Sequence, residues 1–127
     1  MVENVGELLA GNYTAVLNDE LLVANVVHKR GKKLKVIIEN CLLSNEQIVK
    51  ACQIAREAGA DFVKTSTGFS TGGATIAYVK LMADTVGDTL EIKASGGIHT
   101  KAEALEMIAN GASRIGASAS VTIMRED

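Results

Sequence analysis

Short apolar runs alternate with longer amphipathic stretches along the whole chain. The runs have the length of buried strands and lie at residues 34–38, 60–65, 90–94 and 114–120. The longer stretches show helical spacing of apolar residues and lie at residues 12–27, 44–59, 75–87 and 100–111. This alternation predicts an α/β fold in which parallel strands are joined by right-handed crossovers. Because no proline or low-complexity linker divides residues 1–127, we expect one domain.

Local signals mark where several of these helices begin and end. Ser44 with Gln47, and Thr100 with Glu103, have the spacing of capping boxes, which start helices. The basic cluster at residues 28–33 follows the first long helix and contains a glycine, an ordinary stop signal. We therefore expect His28 to lie at a solvated helix end and to have no catalytic role.

Three lysines lie in or beside the predicted strands at an even spacing of 29 residues. They are Lys35, Lys64 and Lys93. A lysine that ends a buried strand often extends its amine into water, and this interpretation is sufficient for any one of them. Three in equivalent positions would point to one side and lower one another's pKa, and burial lowers the pKa of an amine further. A deprotonated amine attacks carbonyl carbons to form a Schiff base, so the group predicts carbonyl chemistry at Lys64. Lys35 and Glu39 also share a strand face and could simply neutralise each other.

Glycine- and hydroxyl-rich loops follow two of these lysines. Residues 65–73 follow Lys64, and residues 95–100 follow Lys93. Small residues let backbone amides approach a bound anion, and adjacent glycines before a helix N-terminus form a phosphate cradle. Such loops are common in α/β proteins, so their value lies in their position directly after strand lysines.

These motifs closely resemble those of deoxyribose-phosphate aldolase. The resemblance rests on the segments Lys-Thr-Ser-Thr-Gly at 64–68, Phe-Ser-Thr-Gly-Gly-Ala at 69–74 and Lys-Ala-Ser-Gly-Gly-Ile at 93–98. It extends in colinear order through residues 34–39, 41–43 and 114–118. The family is a class I, metal-free aldolase on a (β/α)8 barrel that cleaves 2-deoxyribose 5-phosphate into acetaldehyde and glyceraldehyde 3-phosphate.

The resemblance also implies roles for individual residues. Lys64 would form the Schiff base, Lys93 would tune it and transfer protons, and Lys35 would support them. The substrate phosphate would bind at five small residues: Gly68, Gly96, Gly97, Gly116 and Ser118. The family usually has arginine where this chain has His99, which removes a bidentate phosphate donor. No metal or organic cofactor is implied.

The chain resembles only about half of such a barrel, from the end of the fourth strand to the eighth. A complete barrel takes about 250 residues. Residues 1–6 resemble the end of the fourth strand, and the family aspartate on that strand would fall immediately before Met1. Glu3 is not expected to replace this aspartate, because strand side chains alternate between two faces. Half a barrel leaves strand edges open, so we expect a homo-oligomer or a complementary half-barrel chain to cover them.

Composition and charge disfavour several kinds of partner and location. A net charge of −2 and 3% aromatic residues disfavour nucleic acid as a partner. Cys41 and Cys52 form no paired or metal-ligand pattern, which is typical of reduced thiols in a cytoplasmic protein. No apolar stretch approaches the roughly 20 residues that span a bilayer.

Two alternatives to an aldolase remain open at this point. The chain could be a catalytically idle half-barrel that serves as an assembly module or small-anion binder. A flavodoxin-like mononucleotide-binding domain shares the strand and helix alternation, but it gives no reason for the three lysines.

Overall fold

The computed structural model describes residues 1–126. Its strands are β1 (Lys35–Ile37), β2 (Phe62–Lys64), β3 (Glu91–Ser95) and β4 (Arg114–Gly116). Its helices are α1 (Val5–Leu9), α2 (Tyr13–Lys29), α3 (Asn45–Glu57), α4 (Ile76–Val86), α5 (Lys101–Ala109) and α6 (Ser120–Arg125). The prediction of alternating strands and helices is confirmed.

The four strands form one parallel sheet in the order β1-β2-β3-β4. The first residues of the chain extend this sheet beside β1. The Ile37 amide donates to the Met1 carbonyl at 2.9 Å, and the Glu3 amide donates to the Ile37 carbonyl at 3.0 Å. Val2 pairs with Ile37, so Val2 shares its face and Glu3 points to the opposite one. The segment therefore behaves as the end of a strand, and Glu3 does not occupy the inward face.

Helix starts follow the predicted caps closely. Both capping boxes form, with Ser44 and Gln47 at the start of α3 and Thr100 and Glu103 at the start of α5. Helix α1 was not predicted from the sequence. It begins after Asn4, whose side chain accepts a hydrogen bond from the Glu7 amide at 3.2 Å. Its five residues are too few to show a helical period.

The end of α2 is joined to the start of β2 through one carboxylate. Nε2 of His28 lies 2.8 Å from Oδ2 of Asp61, and the Leu34 amide donates to the same oxygen at 2.7 Å. His28 therefore lies at a helix end, as predicted, and it makes a specific contact there. This contact fixes the turn that leads into β1.

The last strand is shorter than predicted. We expected it to cover residues 114–120, but β4 ends at Gly116 and α6 begins at Ser120. The reason is that β4 pairs only with β3, whose final residue, Ser95, is the partner of Gly116. Beyond that point the chain has no strand to bond with.

The hydrophobic core lies between one face of the sheet and the helices. The sheet contributes Val36, Ile38, Val63, Ile92 and Ala94, and the helices contribute Ile48, Ala51, Val79 and Met82. Each of these side chains is at most 2% exposed. Burying an aliphatic side chain of this size stabilises the fold by about 1.5–3 kcal/mol relative to exposure. The other face of the sheet, which carries the strand lysines, is therefore free for chemistry.

Two carboxyl groups are buried within this helix-side layer. Glu3 is 3% exposed and Glu20, on α2, is fully buried. None of their four carboxyl oxygens has a hydrogen-bond partner among residues 1–126. Burial raises the pKa of Glu3 to about 9, with the charge of Glu20 adding to the shift. Burial and then the neighbouring Asp19 raise the pKa of Glu20 to about 8. Both groups are therefore protonated in the folded protein at neutral pH.

Candidate active site

The strand register brings two of the three strand lysines side by side. Lys64 pairs with Lys93 across β2 and β3. Lys35 does not join them in register, because β1 places Ile37 beside Lys64 and Lys35 beside Phe62. The expectation of three equivalent positions is therefore wrong for Lys35, which lies two residues lower on the same face. An even spacing along the sequence does not fix register, because helices and loops of unequal length lie between the strands.

The aromatic ring of Phe62 lies on the lysine face and is covered by cations. Nζ of Lys33, Nζ of Lys35 and Cζ of Arg114 lie 5.8, 5.5 and 4.8 Å from its centroid. Phe62 is only 1% exposed as a result. These distances are typical of cation–π contacts. Long basic side chains therefore shield the apolar floor of this face.

Burial and the positive charges on this face lower the pKa of Lys93. Burial is the largest cause, followed by the charges of Lys64, Lys35 and Arg114. Within residues 1–126 the ion pairs are His28 with Asp61 and Lys80 with Asp84, so none of these four cations is paired with a carboxylate. Lys93 is therefore poised to exchange a proton more readily than an ordinary lysine.

A cleft of about 390 Å³ opens at the carboxyl ends of β2, β3 and β4. We call it the strand-end cleft. It is lined by Lys64, Thr67, Gly68, Ser95, Gly96, Gly97, Ile98, His99, Gly116, Ala117 and Ser118. The lining thus contains Lys64, all five small residues predicted to bind phosphate, and His99. Carboxyl ends of parallel strands are the usual place for ligand sites in α/β proteins.

The other two predicted lysines lie outside this lining. Lys93 is directly behind Gly116, since a Cβ built on that glycine would lie 3.0 Å from Cε and 3.6 Å from Nζ of Lys93. A side chain at Gly116 would therefore separate Lys93 from the cleft. Lys35 lies one layer below, beside Phe62. Its influence on the cleft is through its charge.

The loops after β2 and β3 touch backbone to backbone. A Cβ on Gly73 would lie 2.3 Å from the carbonyl oxygen of Gly96, closer than real contacts allow. The Ala74 amide donates to the carbonyls of Ser95 and Gly96, each at 3.0 Å. The glycines predicted to admit an anion therefore also let these two loops pack together.

Hydroxyl groups join the loop after Lys64 to the end of β3. Oγ1 of Thr65 donates to the Ser95 carbonyl at 3.0 Å and accepts from the Ser95 amide at 3.1 Å. The Ser95 hydroxyl donates to the Ser66 carbonyl at 3.0 Å. These buried bonds fix the backbone on either side of the cleft. The sequence indicated hydroxyl-rich loops but not which partners they would take.

Three backbone amides at the start of α5 are bonded to carboxylates. The carboxylate of Glu103 accepts from the amides of His99 and Thr100 at 2.7 and 3.1 Å. The carboxylate of Glu126 accepts from the Lys101 amide at 2.8 Å. The phosphate cradle at Gly96 and Gly97 stays a prediction, and these three amides are not free to contribute to it.

Glu39 contacts the Lys64 loop instead of Lys35. Its carboxylate accepts hydrogen bonds from the amide and the hydroxyl of Thr67. Neutralisation of Lys35 by Glu39 is therefore not seen. No local pattern indicates the Thr67 contact, because the two residues are 28 positions apart.

An apolar groove of about 350 Å³ lies between α5 and α6. Its lining includes Leu105, Ile108, Ile115 and Met124, with Lys101 as its only charged residue. It lies on the helix side of the sheet, away from Lys35, Lys64 and Lys93. The combination of amine and polar anion-binding groups is found in the strand-end cleft and not in this groove.

Comparison with known proteins identifies the family. Residues 29–125 match the sequence profile of the family described as DeoC/LacD family aldolase. The chain belongs to this aldolase family. Deoxyribose-phosphate aldolase of Thermococcus kodakarensis is 56% identical over 124 residues, which are 98% of this chain and 55% of that protein. The chain therefore spans about half the length of the curated relatives it matches.

Solved aldolase structures share the fold. The aldolase QR15 superposes with a TM-score of 0.89 at 38% identity, over 96% of this chain and 54% of that one. A structure described as a unique tetrameric deoxyribose phosphate aldolase, from Aeropyrum pernix, gives 0.82 at 32% identity, over 88% and 48%. The four parallel strands of this DeoC/LacD family member therefore correspond to about half of an aldolase barrel.

Three further structural findings concern membrane-spanning helices, metal-ligating residues and cysteines. No helix in residues 1–126 has the length and apolar character needed to cross a membrane. Within the same residues, no three metal-ligating side chains converge on one point. The two cysteines form no disulfide, and Cys52 is buried between sheet and helices.

Proposed function

We propose that this chain carries the Schiff-base half of a deoxyribose-phosphate aldolase. The reaction is the reversible cleavage of 2-deoxyribose 5-phosphate into acetaldehyde and glyceraldehyde 3-phosphate. One observation carries the proposal: Lys64 is the only lysine in the lining of the strand-end cleft, which it shares with the small residues suited to a phosphate. Family membership and 56% identity to a named deoxyribose-phosphate aldolase support it.

The proposed chemistry begins with the amine of Lys64 attacking the substrate aldehyde carbon. The carbinolamine loses water to give an iminium, which withdraws electrons from the adjacent carbon. The bond between the second and third carbons then breaks and its electron pair forms an enamine, while the third carbon becomes the aldehyde of glyceraldehyde 3-phosphate. Protonation of the enamine and hydrolysis release acetaldehyde and regenerate Lys64.

Lys93 is assigned the proton-transfer role in this scheme. Its lowered pKa, its position beside Lys64 and its place directly behind Gly116 support the assignment. A proton donor whose pKa approaches the working pH is more effective than an ordinary lysine. Lys35 is assigned a supporting role, because its charge contributes to the shift at Lys93.

The substrate phosphate is assigned to the far side of the same cleft. The backbone around Gly68, Gly96 and Gly97, together with Gly116 and Ser118, would surround it. Gly96 and Gly97 adopt φ values of +87° and +78°, which turn the chain sharply after Ser95. His99 lies at the rim and would add a positive charge when protonated.

A second candidate function is an idle half-barrel that binds small anions or serves in assembly. The observation that favours it is the glycine- and hydroxyl-rich lining of the strand-end cleft, which suits a small anion whether or not a reaction follows. The four strands correspond to about half of an aldolase barrel. We therefore propose that catalysis also uses the other wall of that barrel.

Reductive trapping with acetaldehyde and cyanoborohydride tests the proposed nucleophile. Peptide mapping should find an N-ethyl group on Lys64, and Lys64→Leu should remove that label. Lys80→Leu is the matched control, because Lys80 is exposed on α4 and paired with Asp84, and it should leave labelling at Lys64 unchanged. Preferential labelling of Lys93 or Lys35 would overturn the assignment. Absence of label would favour the idle half-barrel.

A further inference from the structure

The backbone of Glu39 adopts a conformation that its side chain should disfavour. Its φ is +53°, and no other non-glycine residue in the described range 1–126 has a positive φ. A side chain in this left-handed region crowds the backbone, and glycine would avoid the cost. Such a conformation persists only where surrounding contacts compensate for it. The Glu39 side chain must therefore make contacts that compensate for this backbone conformation.

Both carboxylate oxygens of Glu39 accept hydrogen bonds from Thr67. Oε1 accepts from the Thr67 amide at 3.0 Å, and Oε2 accepts from the Thr67 hydroxyl at 2.6 Å. The second distance is typical of a charge-assisted bond. Glu39 is only 6% exposed, so water competes little for these bonds. Thr67 itself lines the strand-end cleft, next to Gly68.

Asn40, the next residue, also forms hydrogen bonds to the loop after Lys64. The Asn40 amide donates to the Thr65 carbonyl at 2.9 Å, and the Asn40 side-chain oxygen accepts from the Ser66 hydroxyl at 3.3 Å. The three residues after Lys64 are thus bonded, one after another, to the end of β1. We call this set of contacts the β1 latch: Glu39 and Asn40 on one side and residues 65–67 on the other.

We infer that Glu39 is a positioning residue for the reaction at Lys64. The β1 latch fixes the direction in which the chain leaves Lys64, so that the amine and the backbone of Thr67 and Gly68 face the same cleft. Glu39 is absent from the cleft lining and acts only through Thr67. The inference rests on the proposed Schiff-base function, and it explains why a carboxylate side chain is retained where glycine would relieve the backbone.

Two substitutions distinguish the effect of the carboxylate bonds from the effect of the backbone conformation. Glu39→Gly keeps the left-handed backbone without strain and removes both bonds. Glu39→Gln can keep both, because its amide oxygen accepts from the Thr67 N–H and its amino group donates to the hydroxyl. The readout is the rate of N-ethylation at Lys64, measured across acetaldehyde concentrations at a temperature where thermal unfolding shows every variant folded.

We expect Glu39→Gly to lower the maximal labelling rate by roughly tenfold or more, because small misplacements of a reacting group have large effects on rate. The aldehyde concentration for half-maximal rate should change little, and Glu39→Gln should stay within about threefold of the wild-type rate. Thr67→Val removes only the hydroxyl bond and should lower the rate less than Glu39→Gly does, while Thr67→Ser keeps both bonds and should label close to the wild-type rate. Ser44→Ala, which removes the exposed cap of α3, is the destabilised control and should label normally.

The outcomes separate this inference from the proposed function. Wild-type labelling with an equally fast Glu39→Gly protein would overturn the positioning role and leave the nucleophile assignment intact. A Glu39→Gln protein as slow as Glu39→Gly would overturn it too, since retained hydrogen bonds would then have no effect. An equal loss in Ser44→Ala would mean that general destabilisation is responsible. A wild-type protein without label at Lys64 would refute the proposed function, and the inference with it.

Discussion

A carboxyl group buried without a hydrogen-bond partner stays protonated in the folded protein. Glu3 and Glu20 are in this position, with pKa values of about 9 and about 8. The unfolded chain releases both protons near 4.5, the ordinary pKa of a glutamate side chain. The folded state therefore binds more protons than the unfolded state between these limits. The contribution of these two groups to the free energy of unfolding is fully present below about pH 4.5. It is lost as the pH rises through about 8 to 9.

Replacing Glu20 with leucine should stabilise the protein at neutral and alkaline pH. A shift from 4.5 to about 8 corresponds to a destabilisation on the order of 3 kcal/mol at about pH 7. Chemical denaturation of Glu20→Leu should show a higher free energy of unfolding than wild type at about pH 8, with a smaller difference at about pH 5. Glu106→Gln, exposed on α5, should show no such trend. A Glu20→Leu effect that is independent of pH would contradict the buried-acid account.

At the residue scale, the sequence predicts which side chains line the strand-end cleft better than how they are connected. Lys64 and the five small residues lie in that lining, and a lysine in an apolar run followed by glycines is a local signal. The strand neighbour of Lys35 and the hydrogen-bond partner of Glu39 are not predicted. Both depend on strand register and on contacts between residues far apart in the chain, which local pattern does not encode.

Elements in this fold are held together at the cleft by glycine contacts between loops. Gly73, before α4, lies against the Gly96 carbonyl, before α5. The glycine of each loop therefore has a packing role in addition to any contact with substrate. This contact sets the distance between the two loops that form one wall of the strand-end cleft.

Gly73→Ala should damage both stability and the cleft. The added Cβ would meet the Gly96 carbonyl at 2.3 Å, so one loop must move. Overpacking of this kind costs about 1–3 kcal/mol, which thermal unfolding would register, and phosphate affinity should fall in parallel. Gly6→Ala is the control, since its Cβ would meet only the Asn4 side chain at an ordinary 3.6 Å. Equal stability of Gly73→Ala and wild type would contradict the loop contact.

Element positions were predicted well where capping residues define them. The starts of α3 and α5 follow from Ser44 and Thr100, because a side-chain cap satisfies amides only a few residues away. The length of β4 was overestimated, since a strand ends where its neighbour ends. Helix α1 was missed because it is short and is stabilised by one cap.

For the whole molecule, the lysine face of the sheet is open and strongly positive. Lys35, Lys64, Lys93 and Arg114 are without carboxylate partners in residues 1–126. The exposed Val2 lies at the sheet edge formed by the first residues, and β4 forms the other edge. An open sheet edge is a template for pairing with another chain. The lysine face therefore favours a partner that carries negative charge. If two copies of the chain met through this face, their positive charges would repel each other.

Self-association should consequently depend on salt. We expect light scattering to show a dimer or larger species at micromolar concentration, in a proportion that rises as sodium chloride increases to about 0.5 M and screens the lysine face. Lys35→Glu should reduce that dependence, while Lys29→Glu, exposed at the end of α2, should not. A monomer at every salt concentration would mean that the open edges are already protected within one chain.

Retro-aldol turnover of 2-deoxyribose 5-phosphate tests the central claim most directly. It should be followed for the chain alone and after addition of the part of the Thermococcus kodakarensis aldolase that this chain does not match. We predict a rise of about 10²- to 10⁴-fold on addition, the contribution typical of a positioned general acid or base, and its complete loss in Lys64→Leu. Turnover that stays at the background of free lysine, or a gain that survives in Lys64→Leu, would contradict the assignment of this chain as the half that carries the nucleophile.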